Sequence, residues 1–95
     1  MVVYQHDNLF PAWPNPVAQG EVKVGFHLRQ AAEVTLSLYD LQGRQVQSWL
    51  TASSRPAGRH LESFSVDGLT AGTYVYQLRT STGTVRSAQL QVLGQ

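Results

Sequence analysis

The stretch Leu69-Thr-Ala-Gly-Thr-Tyr-Val-Tyr-Gln-Leu78 predicts a tight corner that leads directly into a core strand. Gly72 suits a backbone conformation that a residue with a Cβ adopts only at a cost. Tyr74, Tyr76 and Leu78 follow at a spacing of two, which places them on one face of a strand. A tyrosine at the start of a late strand, with its hydroxyl tied back to the preceding corner, is typical of β-sandwiches. The stretch therefore indicates a fold, and on its own it indicates no function.

Alternating apolar residues predict a series of strands before this corner. Glu21–Leu28 and Glu33–Asp40 both alternate over their whole length, as half-buried strands do. Asp40-Leu-Gln-Gly43 predicts a hairpin turn, with Gly43 at the position that favours a left-handed residue. Arg44–Leu50 is predicted as the return strand, with Trp49 facing outward, opposite to Val46 and Leu50.

The second half of the chain predicts further strands joined by turns. Thr51–Gly58 is rich in turn residues and is predicted as a loop. Arg59–Val66 is predicted as a bulged strand, because Leu61 has the opposite parity to Phe64 and Val66. Ser81-Thr-Gly83 repeats the hairpin pattern, and Thr84–Leu93 is predicted as the last strand. With six to seven strands and no helical periodicity, the chain is predicted to be all-β, a single immunoglobulin-like antiparallel β-sandwich.

The beginning of the chain carries a different pattern. Residues 1–8 show little periodicity and are predicted to be a linker or a remnant, with the sandwich domain covering residues 9–95. Pro11, Pro14 and Pro16 forbid a helix and remove donors that a central strand needs. This segment is therefore predicted to run extended along an edge, with Phe10 and Trp13 as plugs at one end of the core.

Composition excludes several classes of protein. The formal net charge of the 95 residues is +1 and no basic run occurs, so nucleic-acid binding is not expected. The chain has no cysteine, which excludes disulfides and cysteine-based zinc sites. No apolar stretch approaches the ~20 residues of a membrane span. The first residues do not form a signal peptide, so we expect either a cytoplasmic protein or one domain of a longer exported chain.

Residues with catalytic or metal-binding chemistry are scattered along the chain. His6, His27 and His60 lie at no metal-ligand spacing, and the six carboxylates occur singly. No nucleophile elbow, phosphate loop or H-E-x-x-H motif is present. The sequence therefore predicts no enzyme, no cofactor and no metal site.

Several weak motifs resemble one family in their order and spacing. Pro14-Asn15-Pro16 comes first, then a strand that ends in Tyr39-Asp40-x-x-Gly43, then Gly72-x-Tyr74-x-Tyr76, and a final strand from Arg86 to Val92. Over about residues 9–93 the chain resembles the type A C-terminal sorting domain of cargo proteins of the type IX secretion system. The positions that match the family pattern are Pro14, Asn15, Pro16, Gly43, Gly72, Tyr74, Arg86, Leu90 and Val92.

The resemblance implies a signal in place of a catalyst. Such a domain follows an upstream cargo domain, folds in the periplasm and is recognised by the outer-membrane translocon. A sortase-like peptidase then cuts ahead of it, here in or before residues 1–8, and the cargo is secreted or attached to the cell surface, in many cases through an anionic lipopolysaccharide. One departure is that Gln89 and Gln91 stand where family members often carry lysine. The expected recognition element is Arg86–Gln95, read along an accessible edge strand. Such an edge would also allow two copies to pair weakly.

Three other functions remain open at this stage. An immunoglobulin-like accessory or carbohydrate-binding module would expose aromatic side chains, for which Tyr39 and Trp49 are the candidates. A small enzyme would gather polar groups in a pocket. A cytoplasmic assembly module would resemble the domain of the flagellar hook-capping protein.

Overall fold

The computed structural model describes residues 6–93 and confirms an all-β sandwich. Within that range the chain forms seven strands in two antiparallel sheets and no helix. The strands are β1 (Asn8–Leu9), β2 (Glu21–Leu28), β3 (Ala32–Tyr39), β4 (Gln45–Arg55), β5 (Gly58–Ser65), β6 (Gly72–Thr80) and β7 (Val85–Val92).

The two sheets enclose one apolar core. The three-stranded sheet has the order β1-β2-β5, and the four-stranded sheet has the order β4-β3-β6-β7. Every second residue of β2, β3 and β6 points inward, as the alternation predicts. Tyr76, Leu78 and Leu90 are fully buried, and Tyr74 is 5% exposed. The core strand that follows the corner therefore forms where the sequence predicts it.

Strand β4 departs from the prediction. It continues through Thr51–Arg55, which were predicted to be part of a loop. Its pairing with β3 has three register shifts, and Ala52 adopts a φ of +42°. Each extra residue in one strand reverses the parity of the residues after it, so the apolar alternation is lost although the strand continues.

The bulge lies in β4 and is absent from β5, where it was predicted. Strands β2 and β5 pair residue by residue from Glu21 with Ser65 to Leu28 with Gly58. Leu61 is 59% exposed on the outer face, whereas Phe64 packs against the core. Leu61 has the opposite parity to Phe64 because it is an apolar residue on the exposed face, and the strand itself is regular.

Trp49 faces the core, and the prediction that it faces outward is wrong. Its ring stacks on Phe64 with the ring centroids 4.7 Å apart and the planes 2° from parallel. The indole N–H donates to the side-chain oxygen of Gln47 over 2.7 Å. The register shift beside Trp49 causes this reversal. Tyr39 and Trp49 therefore do not form the exposed aromatic pair that a carbohydrate-binding module would need.

The β4–β5 side of the sandwich is closed by one aromatic stack and one ion pair. Arg55, at the end of β4, holds the carboxylate of Glu62 on β5 through two hydrogen bonds of 2.8 and 2.9 Å. The hydrogen bonds to Glu62 raise the pKa of the Arg55 guanidinium. Because β4 and β5 belong to different sheets, this bidentate pair and the Trp49–Phe64 stack join the two layers.

Phe10 and Trp13 are not plugs of the core, and this prediction is also wrong. Trp13 pairs with Lys23, whose side chain points outward from β2, and cross-strand partners share a face. Phe10 donates its N–H to the carbonyl of Gly25, another outward position. The residues of this segment that do enter the core are Ala12 and Val17. The sequence does not predict that Ala12 and Val17 are buried, because the prolines interrupt the regular alternation of an edge strand.

The described part of the leading segment is attached to the sandwich. Residues 1–5 of the predicted linker lie outside the described residues. Asp7 is 8% exposed and accepts hydrogen bonds from the Arg29 N–H (2.7 Å) and the Thr84 hydroxyl (2.7 Å). Asn8 begins β1 and pairs with His27. Asp7 and Asn8, in the described part of the predicted linker, therefore both contact the sandwich.

Candidate functional site

The corner before β6 has the tyrosine contact that the sequence predicts. The Tyr74 hydroxyl donates to the carbonyl of Thr70 over 2.6 Å. Between them Gly72 adopts a φ of +155°, which side-chain-bearing residues rarely adopt. Gly72 and Tyr74, both family-pattern positions, are thus explained by the geometry of the corner.

Tyr76 makes a second contact of this kind that the sequence does not predict. Its buried hydroxyl donates to the carbonyl of Phe10 (3.1 Å) and accepts from the N–H of Ala12 (2.8 Å). Burial raises the pKa of the Tyr76 phenol, and the Ala12 N–H offsets only part of that effect. The phenol therefore stays protonated and fixes the proline-rich segment to the central strand β6.

Asn15 binds the outer edge of β7 as a neighbouring strand would. Its side-chain amide donates to the carbonyl of Gln89 (3.1 Å), and its side-chain oxygen accepts from the N–H of Gln91 (2.9 Å). Pro14 and Pro16 have no N–H to contribute. The asparagine side chain therefore makes the hydrogen bonds to the Gln89 carbonyl and the Gln91 N–H that the backbone of a paired strand would make.

Val17 extends this cover to the end of β7. Its N–H donates to the carbonyl of Gln91 (2.9 Å), and its carbonyl accepts from the N–H of Leu93 (2.8 Å). This forms a parallel bridge between Val17 and Val92. We call residues 14–17 the edge cover. The cover bonds the edge of β7 from Gln89 to Leu93. The sequence predicts that this edge is accessible, but the second half of β7 is covered.

The side chains of β7 divide into a core face and a polar outer face. Leu90 is fully buried and Val92 is 2% exposed. Arg86, Ser87, Gln89 and Gln91 are exposed. The side-chain oxygen of Gln91 accepts a hydrogen bond from the Thr73 hydroxyl (2.9 Å). Ser87, Gln89 and Gln91 on the outer face of β7 can therefore donate and accept hydrogen bonds. Arg86 pairs with Leu78 and lies on the same side of the strand as Leu90 and Val92, at the end of the sheet.

Gly43 belongs to a turn that is fixed by its own carboxylate. Asp40 accepts hydrogen bonds from the N–H groups of Gln42 (2.9 Å) and Arg44 (3.0 Å), and it pairs with the Arg44 guanidinium. The backbone N–H of Arg44 and the other donors lower the pKa of the Asp40 carboxyl, although burial partly opposes them. Gly43 has a φ of +85°, as this turn requires.

The geometry brings the matching residues together in two groups. The first group is the edge cover with β7, which contains Pro14, Asn15, Pro16, Leu90 and Val92. The second is formed by the β3–β4 turn and the corner before β6, which border one shallow depression. Arg86 stands apart at the start of β7. Sequence reasoning missed the partner of Asn15 because a contact 76 residues away leaves no trace in local periodicity.

Polar side chains converge on one small cavity at the end of the sandwich, which is lined by His6, Asp7, Arg29, Gln30, Thr82, Thr84 and Arg86. His60 contacts the carbonyl of Pro56 (2.8 Å), and its ring packs against Phe26. Across residues 6–93 no three side chains of the metal-ligating types gather around one point. That part of the chain also contains no helix of the length and apolarity that crossing a membrane requires.

A scan of protein families matches residues 11–91 to the secretion system C-terminal sorting domain. The chain belongs to this family. The family is the type IX secretion sorting domain, so the resemblance that rests on Pro14-Asn15-Pro16, Gly72 and Tyr74 is confirmed. The matched range includes the whole edge cover and β7 as far as Gln91.

Comparison with solved structures shows a shared fold and does not indicate a function. The crystal structure of CopC from Methylosinus trichosporium OB3b is similar at a TM-score of 0.56 and 22% identity, over 94% of this chain and 93% of that chain. At this identity the likeness shows a shared sandwich fold. No curated protein matches the chain.

Proposed function

We propose that this sorting domain is the non-catalytic signal that delivers an upstream cargo domain in the same chain to the type IX outer-membrane translocon. The family match over residues 11–91 carries this proposal. The structure supports it because the domain closes its own core and covers half of its β7 edge, which suits a signal that is read as a folded shape. The cargo is then secreted or held at the cell surface.

We further propose that a sortase-like peptidase separates cargo from signal before Asp7. The buried carboxylate of Asp7 connects the leading segment to the β2–β3 and β6–β7 loops. Because a cut after Asp7 would remove this anchor from the domain, the cleavage site falls in residues 1–6 or earlier. Mass spectrometry of the released domain tests this, and a new N-terminus after Asp7 would contradict it.

The recognition element that we propose is Arg86–Gln95, read through the exposed side chains of β7. Ser87, Gln89 and Gln91 are exposed on the outer face of β7, and Arg86 is exposed at the start of the strand on its other side. The backbone edge is a weaker candidate, because the edge cover already binds Gln89 and Gln91. Removing the whole element would also remove Leu90 and Val92 from the core, so deletion cannot separate recognition from folding.

Substitution of the exposed side chains tests recognition without loss of the core. A cargo fusion that carries Ser87→Glu and Gln89→Glu should keep its thermal unfolding midpoint and lose most of its export. The matched control carries Ser63→Glu and Ser65→Glu, two exposed serines of β5 on the other sheet. Normal export of the β7 variant, or equal loss in both variants, would refute this recognition element.

A further inference from the structure

The outer face of the three-stranded sheet carries an apolar and basic surface. In β2, Lys23, Gly25 and His27 point outward, since Val24 and Phe26 fill the core. Gly25 pairs with Leu61 of β5 on one side and bonds Phe10 on the other. Trp13 pairs with Lys23 in the next row. We call this surface the platform, and its members are Phe10, Trp13, Lys23, Gly25, Arg59 and Leu61.

Because Gly25 has no side chain, the centre of the platform is a shallow depression between Phe10 and Leu61. A Cβ at this position would lie 3.4 Å from the ring of Phe10 and 3.8 Å from the side chain of Leu61. The two apolar side chains therefore lean over the glycine from opposite sides. Leu61 is 59% exposed and Trp13 is 49% exposed. Leu61 lies on β5 and Trp13 lies on the opposite side of β2, on the same face of the sheet. Large apolar side chains exposed on one sheet face mark an interaction surface more often than isolated ones do.

Two cations are held against the aromatic rings of the platform. The Lys23 Nζ lies 4.8 Å from the centre of the Trp13 ring, and the Arg59 Cζ lies 5.0 Å from the centre of the Phe10 ring. Neither cation forms an ion pair with a described residue. Stacking on a ring restricts a long side chain, so less freedom is lost when it binds an anion. Glu21, at the end of β2, is the carboxylate that points to this face.

We propose that the platform binds an acidic glycan, a sugar chain that carries carboxylate, sulfate or phosphate groups. Exposed aromatic rings pack against the C–H faces of sugar rings, and Trp13 is such a ring on the platform. Lys23 and Arg59 lie over the rings of Trp13 and Phe10, where each can receive an acidic group of a sugar at the same surface. The excess of cations over the single carboxylate Glu21 favours an anionic ligand and opposes pairing of two copies of the same face.

Fluorescence titration of the folded domain tests the proposal. Trp13 is half exposed and reports on the platform, whereas Trp49 is stacked on Phe64 and supplies a constant background. The probes are oligogalacturonate, hyaluronate oligosaccharides and heparin oligosaccharides, together with methyl-esterified oligogalacturonate as the uncharged match of the first. We expect saturable binding of at least one acidic probe, and no binding of the ester.

Variants place the binding on the platform. Isothermal titration calorimetry measures binding by the variants, because Trp13→Ala removes the fluorescent reporter. Trp13→Ala and Arg59→Ala should each weaken the binding about tenfold, since one stacking or charge contact of this kind accounts for roughly that factor. Arg79→Ala is the matched control, because Arg79 is an exposed arginine on the outer face of the other sheet. It should change the affinity less than about twofold. All variants should keep the circular dichroism spectrum of the parent.

Three results would overturn the proposal. The first is no binding of any acidic probe at millimolar concentration. The second is equal loss of binding in Trp13→Ala and Arg79→Ala, which would place binding elsewhere. The third is binding to vesicles of phosphatidylglycerol with a blue shift of Trp13 but no glycan binding, which would make the platform a lipid-docking surface. Because none of these measurements involves secretion, they leave the proposed sorting function untouched.

Discussion

Single hydroxyl and carboxylate groups fix the loops at the ends of this sandwich. Tyr74 ties down the corner before β6, Tyr76 holds the crossing segment, and Asp7 joins the chain start to two loops. The tyrosine corner could be predicted, because its signature is local and Gly72 accompanies it. Asp7 could not be, because its partners at Arg29 and Thr84 are brought close only by the fold.

Tyr74→Phe should lower the free energy of unfolding by about 1–2 kcal/mol, because it leaves the carbonyl of Thr70 without its short hydrogen bond. Urea denaturation measures the effect. Tyr39→Phe is the control on an outward position and should cost less than about 0.5 kcal/mol. If both variants lost the same stability, the corner contact would not contribute as described.

Asp7→Asn should make the stability of the domain less dependent on pH. Burial raises the pKa of the Asp7 carboxyl, but the hydrogen bonds from Arg29 and Thr84 and the nearby positive charge outweigh it and lower the pKa overall. The folded state therefore gains stability above the usual pKa of about 3.8, and it loses that gain as the pH falls through the lowered value.

Urea denaturation at pH 7 and at pH 3 tests this sign. At pH 7 Asp7→Asn should cost about 1–2 kcal/mol, and the gap to the parent should shrink at pH 3. Glu33→Gln changes the net charge equally at an exposed site and serves as the control. A gap of the same size at both pH values would show that the charge of Asp7 does not stabilise the fold.

Two elements, the edge cover and the irregular strand β4, account for most of the differences between prediction and structure. Strand β2 could be predicted to the residue, because its face is uniform and its pairing has no shift. Strand β4 could not be, because the register shifts remove the periodicity on which the prediction rests. The edge cover pairs through a side chain and single bridges, for which no alternation exists.

Asn15→Ala should expose the end of β7. Loss of the two hydrogen bonds to Gln89 and Gln91 should cost about 1–2 kcal/mol and speed hydrogen exchange at the Gln91 N–H about tenfold. Nuclear magnetic resonance measures the exchange. The control is Asn8→Ala, whose side-chain amide donates only a 3.3 Å bond to His6.

The same variant tests pairing of two copies along β7. The parent should remain monomeric, whereas Asn15→Ala should self-associate as its concentration rises, since an uncovered edge offers backbone groups to another strand. Analytical ultracentrifugation distinguishes the two. Unchanged exchange at Gln91 together with a monomeric variant would contradict the assigned role of Asn15.

Truncation of the two tryptophans should lower the free energy of unfolding by different amounts, because Trp49 lies between the sheets and Trp13 lies outside them. Trp49→Ala should cost about 3 kcal/mol of unfolding free energy, the usual loss for a large aromatic residue packed in a core. Trp13→Ala should cost less than about 1 kcal/mol. Thermal and urea denaturation measure both. Equal losses would mean that Trp13 supports the fold and that its exposure carries no information about binding.

At the scale of the whole molecule, the domain is a closed sandwich whose family-pattern residues mostly shape corners and edges. Gly43, Gly72 and Tyr74 form turns, Asn15 covers an edge, and Leu90 fills the core. The sequence was sufficient for the fold class and the family, because strand alternation and motif order survive in it. The polar face of β7 and the platform depend on which side chains the folded sheets leave exposed.

The most direct test is the location of a periplasm-exported reporter that carries residues 1–95 at its C-terminus, in a bacterium that has the type IX secretion system. We predict that the reporter reaches the cell surface or the medium in the parent strain and stays in the periplasm when the translocon gene is deleted. Retention of the reporter in the periplasm of the parent strain, with the domain folded and intact, would contradict the assignment of this domain as a sorting signal.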